Sequence, residues 1–424
     1  MSPRLATIGE VVTADLCCGC GLCAGLLPDV LRMEDRVDLG LRPVLRAGRE
    51  DAETADAAAV CPGARITRPP IPQGADPDLA GSWGSVLELW EGWAADPDIR
   101  FAGSSGGVAT ALALDAVTSG AAAGVIHTAA DPQYPLRNRT TLSRSREELL
   151  AAAGSRYAPA APLDRLDLLE EAGGPVVVVA KPCDVAGLEA ARRTRPHLDA
   201  AVTATVAVFC AGTPTTRGTL EMLRVMGIRD AGDVASLRYR GNGWPGHAVA
   251  TTHSGDPAMG RLDYDGSWNR VLQKHRQWRC RLCPDHTGEL ADVSVGDPWY
   301  RPIEPGDPGR SLVVVRTERG RRLVRAAIAS GGVVLQCVPA DVLPRSQPNL
   351  LLTRGAVVAR VATLRMAGLP YPRFRGFPMW GLWWGRLPLR EKLRSTVGTL
   401  RRARRHRPVV ATGRRLTDET TDPR

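Results

Sequence analysis

Read for the alternation of apolar and polar positions, the chain divides into short β-branched runs separated by segments of helical period. Val86-Leu-Glu-Leu-Trp-Glu-Gly-Trp93 alternates with period two, which predicts a half-buried strand. Gly124 to Ala129, Ala201 to Phe209, the stretch from Ala291 to Gly296 and Ser311 to Arg316 predict further strands, and residues 234–253 a strand pair. Pro175-Val-Val-Val-Val-Ala180 has no polar side at all, which suits a strand buried on both faces of a parallel sheet. Between these lie predicted helices over 108–117, from Ser145 with an acidic first turn, over 163–172, 184–193 and 319–329. Strands alternating with helices of this length predict an α/β fold around a mixed or mostly parallel sheet.

Proline, glycine and charge then set the boundaries. Arg68-Pro-Pro-Ile-Pro-Gln-Gly74 interrupts regular structure and separates a small module, residues 1–75, from a body over 80–350. The body has an N-terminal part, 80–165, and a C-terminal part, 166–350. From Arg354 to Arg424, Lys and Arg outnumber Asp and Glu by 17 to 4, whereas the first 353 residues carry 38 against 41. The net charge of +10 is therefore the property of a tail, 354–424, and not of the whole surface. The N-terminus has no apolar signal core and no run approaches 18 apolar residues. Ten cysteines in unequal groups are too few for a disulfide scaffold of 424 residues, and they point to metal ligation in a cytoplasmic, reducing setting.

The cysteines carry the strongest chemical signal. Cys17, Cys20 and Cys23 stand three apart on a glycine-rich backbone, the opening spacing of a bacterial ferredoxin run. Where that run would place its fourth cysteine the chain has Leu27-Pro28, so the fourth ligand falls to Cys61, itself followed by Pro62. Cys18 is left as a spare. Zinc is the competing ligand, since C-x2-C pairs also bind it. Cys183 and Cys210 sit at the carboxyl ends of successive predicted strands, and Cys280-x2-Cys283 follows. These four make a second set. Cys337 has no cysteine neighbour and reads as structural.

Gly103-Ser-Ser-Gly-Gly107 runs straight into the predicted helix from Val108. Such a turn aims free N–H groups at an anion, such as a cofactor phosphate, although tight packing of a helix on a sheet asks for the same residues. It matches neither G-x-G-x-x-G nor the nucleotide P-loop.

Taken in order, the N-terminal cysteines, Ser104-Ser-Gly-Gly-Val108, Gly154-Ser-Arg-Tyr157, Lys181-Pro-Cys183, Phe209-Cys210, Arg240-Gly-Asn-Gly-Trp-Pro-Gly246, Cys280-x2-Cys283 and Ala291-Asp-Val-Ser-Val-Gly-Asp297 form a set. That set resembles the beta subunit family of coenzyme F-420 hydrogenases and dehydrogenases, which also includes the chloroplast 7-hydroxymethyl chlorophyll a reductase. The likeness covers roughly residues 10–350. It implies a flavin domain preceded by a ferredoxin-like iron–sulfur module, with FAD and one or two 4Fe-4S clusters. In that reading Gly103, Ser104, Ser105, Gly106, Gly107 and Val108 hold the FAD pyrophosphate. Gly154, Ser155, Arg156, Tyr157 and Lys181 contact the flavin, Asp297 and Trp299 help close the pocket, and the two cysteine sets hold the clusters. Family members commonly carry Lys where this chain has Arg156, a cation of different geometry. The implied activity is that of an oxidoreductase passing electrons between a ferredoxin-type donor, or another redox subunit, and a small organic two-electron acceptor, with the deazaflavin as one candidate. The alternative is an electron-transfer subunit without a substrate site of its own.

The tail lies outside the likeness. Trp380, Trp383 and Trp384 beside a cationic helix over 389–400 suit a membrane surface or a partner, and past about residue 400 a solvated, partly disordered segment is expected. The near-neutral body and the lack of a recognised binding fold disfavour nucleic acid.

Overall fold

Valine-rich runs with no polar side must be covered on both faces, and they occupy the middle of one eight-stranded sheet. The computed structural model describes residues 5–254 and 260–411. Across the sheet the strands run Val333–Cys337, Glu88–Ala94, Ser311–Val315, Val293–Gly296, Val202–Val208, Val176–Ala180, Gly124–Ala130 and Asn138–Ser143. The four from Val293–Gly296 to Gly124–Ala130 are parallel, and every other pairing in this sheet is antiparallel. The architecture is mixed α/β.

Helices Val108–Thr118 and Glu318–Ala329 cover one face, where Val108, Leu112, Leu323 and Val324 pack on Val313 and Val315. Helix Pro182–Arg192 covers the other through Val185 and Leu188. On that side the N-terminal segment enters the same core with Leu22, Cys18 and Cys20. A Cβ at Gly187 would stand 3.1 Å from Leu22 and 3.2 Å from Pro62, so glycine lets this segment approach the helix closely.

Three expectations are corrected. The helix expected over 163–172 is confined to Leu168–Glu171, because the Leu163 N–H is taken by the Cys20 carbonyl at 3.1 Å and the preceding chain follows the N-terminal segment instead. The helix expected from Asp184 begins at Pro182, whose missing N–H is no loss at a first helical position. Cys337, expected to be structural, is exposed at the end of the edge strand Val333–Cys337.

The basic C-terminal segment is built into the molecule. Helix Leu350–Met366 crosses the boundary expected at 350–354. From it the buried Arg354 pairs with Glu289, which also binds Arg68 at 2.8 Å, and donates to the Pro284 carbonyl at 2.7 Å. Arg373–Arg375 forms a parallel pair with Arg65–Thr67. Leu389–Ala411 is one helix packed on Leu350–Met366, and Ala403 joins a core with Cys17 and Trp278. The disorder expected past residue 400 lies, from 412 on, outside the described residues. Among the described residues no helix is long and apolar enough to cross a membrane.

Candidate functional site

The four parallel strands end together, and their carboxyl ends open on a cavity of about 330 Å³. Open α/β sheets bind ligands at this edge, in cavities of roughly 300–1,000 Å³. His127 and Thr128, Lys181, Phe209 and Cys210, and Asp297 line it from the four strands or just beyond them.

The glycine-rich turn forms a second wall. Gly103, Ser104, Ser105, Gly107 and Val108 line the cavity, while Gly106 is turned into the packing. A Cβ on Gly106 would stand 2.7 Å from the Gly92 carbonyl, and one on Gly107, at φ +73°, 2.5 Å from the Ile99 carbonyl. Close packing therefore demands these two glycines, whatever the turn binds. Ser105 donates to the Arg310 carbonyl at 2.5 Å, and Ser104 accepts from the Ser155 N–H at 2.5 Å, joining the two polar loops.

Arg156 also borders the cavity, but its donors point away from it. They go to the Asn138 side chain at 2.7 Å and to the carbonyls of Leu237, Pro135 and Arg137 at 2.6, 2.9 and 3.1 Å. Burial lowers its pKa. Lys181 is held by Asp184 at 2.8 Å and donates to the Ala160 carbonyl. Burial opposes its charge, but Asp184, with Cys183 and Cys210 behind it, keeps its pKa above the ordinary lysine value.

The expected Tyr157, Asp297 and Trp299 line the remaining wall, joined by Arg240, singled out only within a motif, and by Tyr264 and Trp268, which sequence reasoning did not identify. Arg240 grips Asp297 with two hydrogen bonds, 2.9 and 2.6 Å, and lies over the rings of Tyr264 and Trp299. Trp244 donates to the same carboxylate at 2.8 Å. The rings of Tyr157 and Trp268 pack at 4.8 Å, tilted by 49°. The only signal for Tyr264 and Trp268 would have been aromatic residues in a polar stretch, which does not say which surface they face.

His127 borders the cavity with Nε2 2.8 Å from the Ser143 hydroxyl, and burial pushes its pKa down to about 4. Its neutral form stabilises the fold above the ordinary value of 6.5, and that contribution is lost as pH falls from there towards 4. The wild type should lose up to about 3 kcal/mol over this window relative to His127→Asn, read from urea unfolding at stepped pH.

Both cysteine sets are brought together. Cys17, Cys20, Cys23 and Cys61, with Cys18, line a small second cavity of about 20 Å³. A Cβ on Gly21, at φ +82°, would stand 2.6 Å from the Asp164 amide nitrogen, so the turn between Cys20 and Cys23 requires glycine. In the second set Cys210 and Cys283 each interact electrostatically with Cys183 and Cys280. Cys183 stands in the first turn of an 11-residue helix, whose N-terminal N–H groups favour a thiolate. Amide N–H groups reach sulfur in each set: Gly19 to Cys17 and Thr213 to Cys280, both 3.3 Å. Cys18, the expected spare, is buried in one core with Cys20 and Cys183 and interacts with both, so it lies where the two sets meet.

Burial raises these thiols. Cys61 is pushed up to about 11 by burial and Cys17, and Cys283 to about 12 by burial against the pull of Arg279. Cys18 lowers Cys20, but burial and nearby charges bring it to about 11. Thiolates so placed are costly unless a metal centre compensates them. Among the described residues no three Cys, His, Asp or Glu side chains close on one ion-sized point. Arg279, 2% exposed, lies between the sets and interacts with Cys18, Cys61 and Cys283. It donates to the Pro62 carbonyl at 2.8 Å and lies over Phe374, and no carboxylate is paired with it among the described residues.

Two family models match the body, and both describe the beta subunit of coenzyme F420 hydrogenase/dehydrogenase. Residues 89–166 match the model of its N-terminal part, and residues 174–340 match the model of its C-terminal part. Together they span more than half of the chain. It belongs to this family.

Within the family, the coenzyme F420 hydrogenase subunit beta of Methanosarcina barkeri (strain Fusaro / DSM 804) is 26% identical over 246 residues, 56% of this chain and 77% of that protein. A chain in the solved structure titled "Xenon derivatization of the F420-reducing [NiFe] hydrogenase complex from Methanosarcina barkeri" shares the fold at TM-score 0.51 and 22% identity, over 68% of this chain and 95% of that one. The family match contains the cavity walls from His127 to Trp299, the glycine-rich turn and the second cysteine set. The first cysteine set and the C-terminal helices fall outside it.

Proposed function

We propose that this member of the family is an iron–sulfur flavoprotein oxidoreductase, passing electrons between a redox-protein partner and an organic two-electron acceptor. One observation carries the reading: Cys210 belongs both to the second thiol set and to the wall of the large cavity, and Cys18 ties that set to the first. Cysteine side chains thus lead from the N-terminal module to the cavity wall, which supports a chain of metal centres along that path.

In this reading FAD occupies the cavity, with the turn 103–107 and the first N–H groups of helix Val108–Thr118 facing its pyrophosphate. Cys17, Cys20, Cys23 and Cys61 would hold one 4Fe-4S cluster, and Cys183, Cys210, Cys280 and Cys283 a second. Such groups supply one-electron transfer at iron and the conversion to two-electron transfer at flavin. The chain's own residues set the conditions. Lys181, kept charged by Asp184, places a cation between the cavity and the second thiol set. The Arg240–Asp297 pair fixes the aromatic wall. Arg156 acts by holding the turn at 135–138 against strand Val234–Arg238, so its cationic character serves the framework.

The relatives' names point to a deazaflavin coenzyme as the first acceptor to try, and to a second reading in which the chain works as a subunit of a larger hydrogenase or dehydrogenase complex. The deciding measurement is the absorbance spectrum and metal content of anaerobically purified protein. Flavin bands beside a broad iron–sulfur shoulder, both bleached by dithionite and restored by the oxidised deazaflavin, are expected. Zinc with no iron and no flavin would overturn the proposal.

A further inference from the structure

Helix Leu389–Ala411 is oriented against the usual rule. An amphipathic helix on a globular body buries its aliphatic stripe. This one packs through small and polar side chains, Ser395, Thr399 and Ala403, spaced four apart and all buried. Its aliphatic residues face out: Leu389 is 70% exposed, Leu393 59%, Val397 44% and Leu400 37%. At spacings of four, four and three they form one continuous stripe. Arg390, Arg394 and Arg401 are exposed beside it, each one position on from a stripe residue. The helix meets a tryptophan-rich neighbour, Met379–Gly385, where Lys392 lies over the rings of Trp383 and Trp384. Trp380 and Trp384 are 68% and 77% exposed.

We infer that this face is a docking surface for an anionic lipid bilayer, on which the helix lies flat. The charge pattern selects this occupant. A protein interface of ordinary size buries about 800 Å² per partner, and its core is depleted of charge. Here a narrow stripe is bordered along its length by arginines, and Glu391 is the only acidic residue of the helix. Aliphatic side chains entering the acyl boundary, arginines at the headgroups and tryptophans at the interface satisfy every exposed group at once. The inverted packing has a physical reason in this reading: the body takes the small-residue face so that the aliphatic face stays free. The inference does not depend on the redox proposal, since none of the outward-facing residues lines the cavity or the pocket of the first thiol set.

The test is sedimentation of the full-length protein with vesicles of phosphatidylcholine alone or mixed with phosphatidylglycerol. The wild type should bind the anionic vesicles, with affinity falling about fivefold for each of Arg390 and Arg394 changed to Ser. Leu393→Glu combined with Val397→Glu should weaken binding at least about tenfold. These side chains are solvent-exposed, so unchanged thermal unfolding should accompany the loss. Failure of the wild type to bind anionic vesicles, or equal binding by the double variant, would overturn the inference. So would a dimer that the double variant dissociates without any vesicle binding, which would assign the stripe to a second copy.

Discussion

Under the proposed iron–sulfur flavoprotein reading, Cys283→Ser should roughly halve the iron content while leaving flavin bound, and should lower electron transfer to the acceptor more than about a hundredfold. The second thiol set stands between the first set and the cavity, so losing one of its members interrupts the only thiol-lined route that the described residues provide. Cys20→Ala should act on the other set, again with flavin retained. Iron, flavin and acceptor reduction measured on the same preparations separate the two. Loss of flavin together with iron in Cys20→Ala would show that the N-terminal segment and the flavin site do not behave as separate modules. Such coupling has a structural route, since Leu22, Cys18 and Cys20 share a core with helix Pro182–Arg192 beneath the cavity.

Arg279→Met should shift the reduction potentials of both iron centres downward by roughly 50–100 mV, because a cation near each set is lost. A buried cation needs a counter-charge. Arg279 has carbonyl oxygens and an aromatic ring as neighbours, and of the sulfurs it interacts with, Cys61 and Cys283 would be thiolates only as ligands of the proposed centres. In the proposed reading its positive charge would therefore stabilise electron-rich centres on both sides. Arg279→Lys keeps the charge and should recover most of the shift, although it loses the paired contacts to Pro62 and Gly63. Potentiometric titration followed at the iron–sulfur absorbance reads both variants. An unchanged potential in Arg279→Met, with iron content intact, would reduce the residue to a brace for the Cys61 loop.

Much of the body was legible because the signals were local. A run such as Val176–Ala180 has no polar face, so its burial in the middle of a parallel sheet follows from composition alone. Cys183 and Cys210 were placed at strand ends by the same reasoning, and glycines followed by a helix marked the turn at 103–107. Spacing also grouped Cys17, Cys20 and Cys23, because three side chains on one tight turn are neighbours whatever the rest of the chain does.

What stayed hidden depends on which segments meet. Cys18 looked superfluous because its partner, Cys183, is 165 positions away, and only the packing of the N-terminal segment on helix Pro182–Arg192 unites them. Arg156 read as a ligand-facing cation, but four backbone and side-chain acceptors from 135–138 and Leu237 claim its guanidinium. The basic C-terminal segment read as a tail outside the body, since charge excess and proline say nothing about Arg354 finding Glu289 or Arg373–Arg375 finding a strand partner. In helix Leu389–Ala411 the sequence determined that an aliphatic stripe exists, through period. Only the tertiary structure decided that it faces outward, because which face of a helix is buried is set by the surface it lands on.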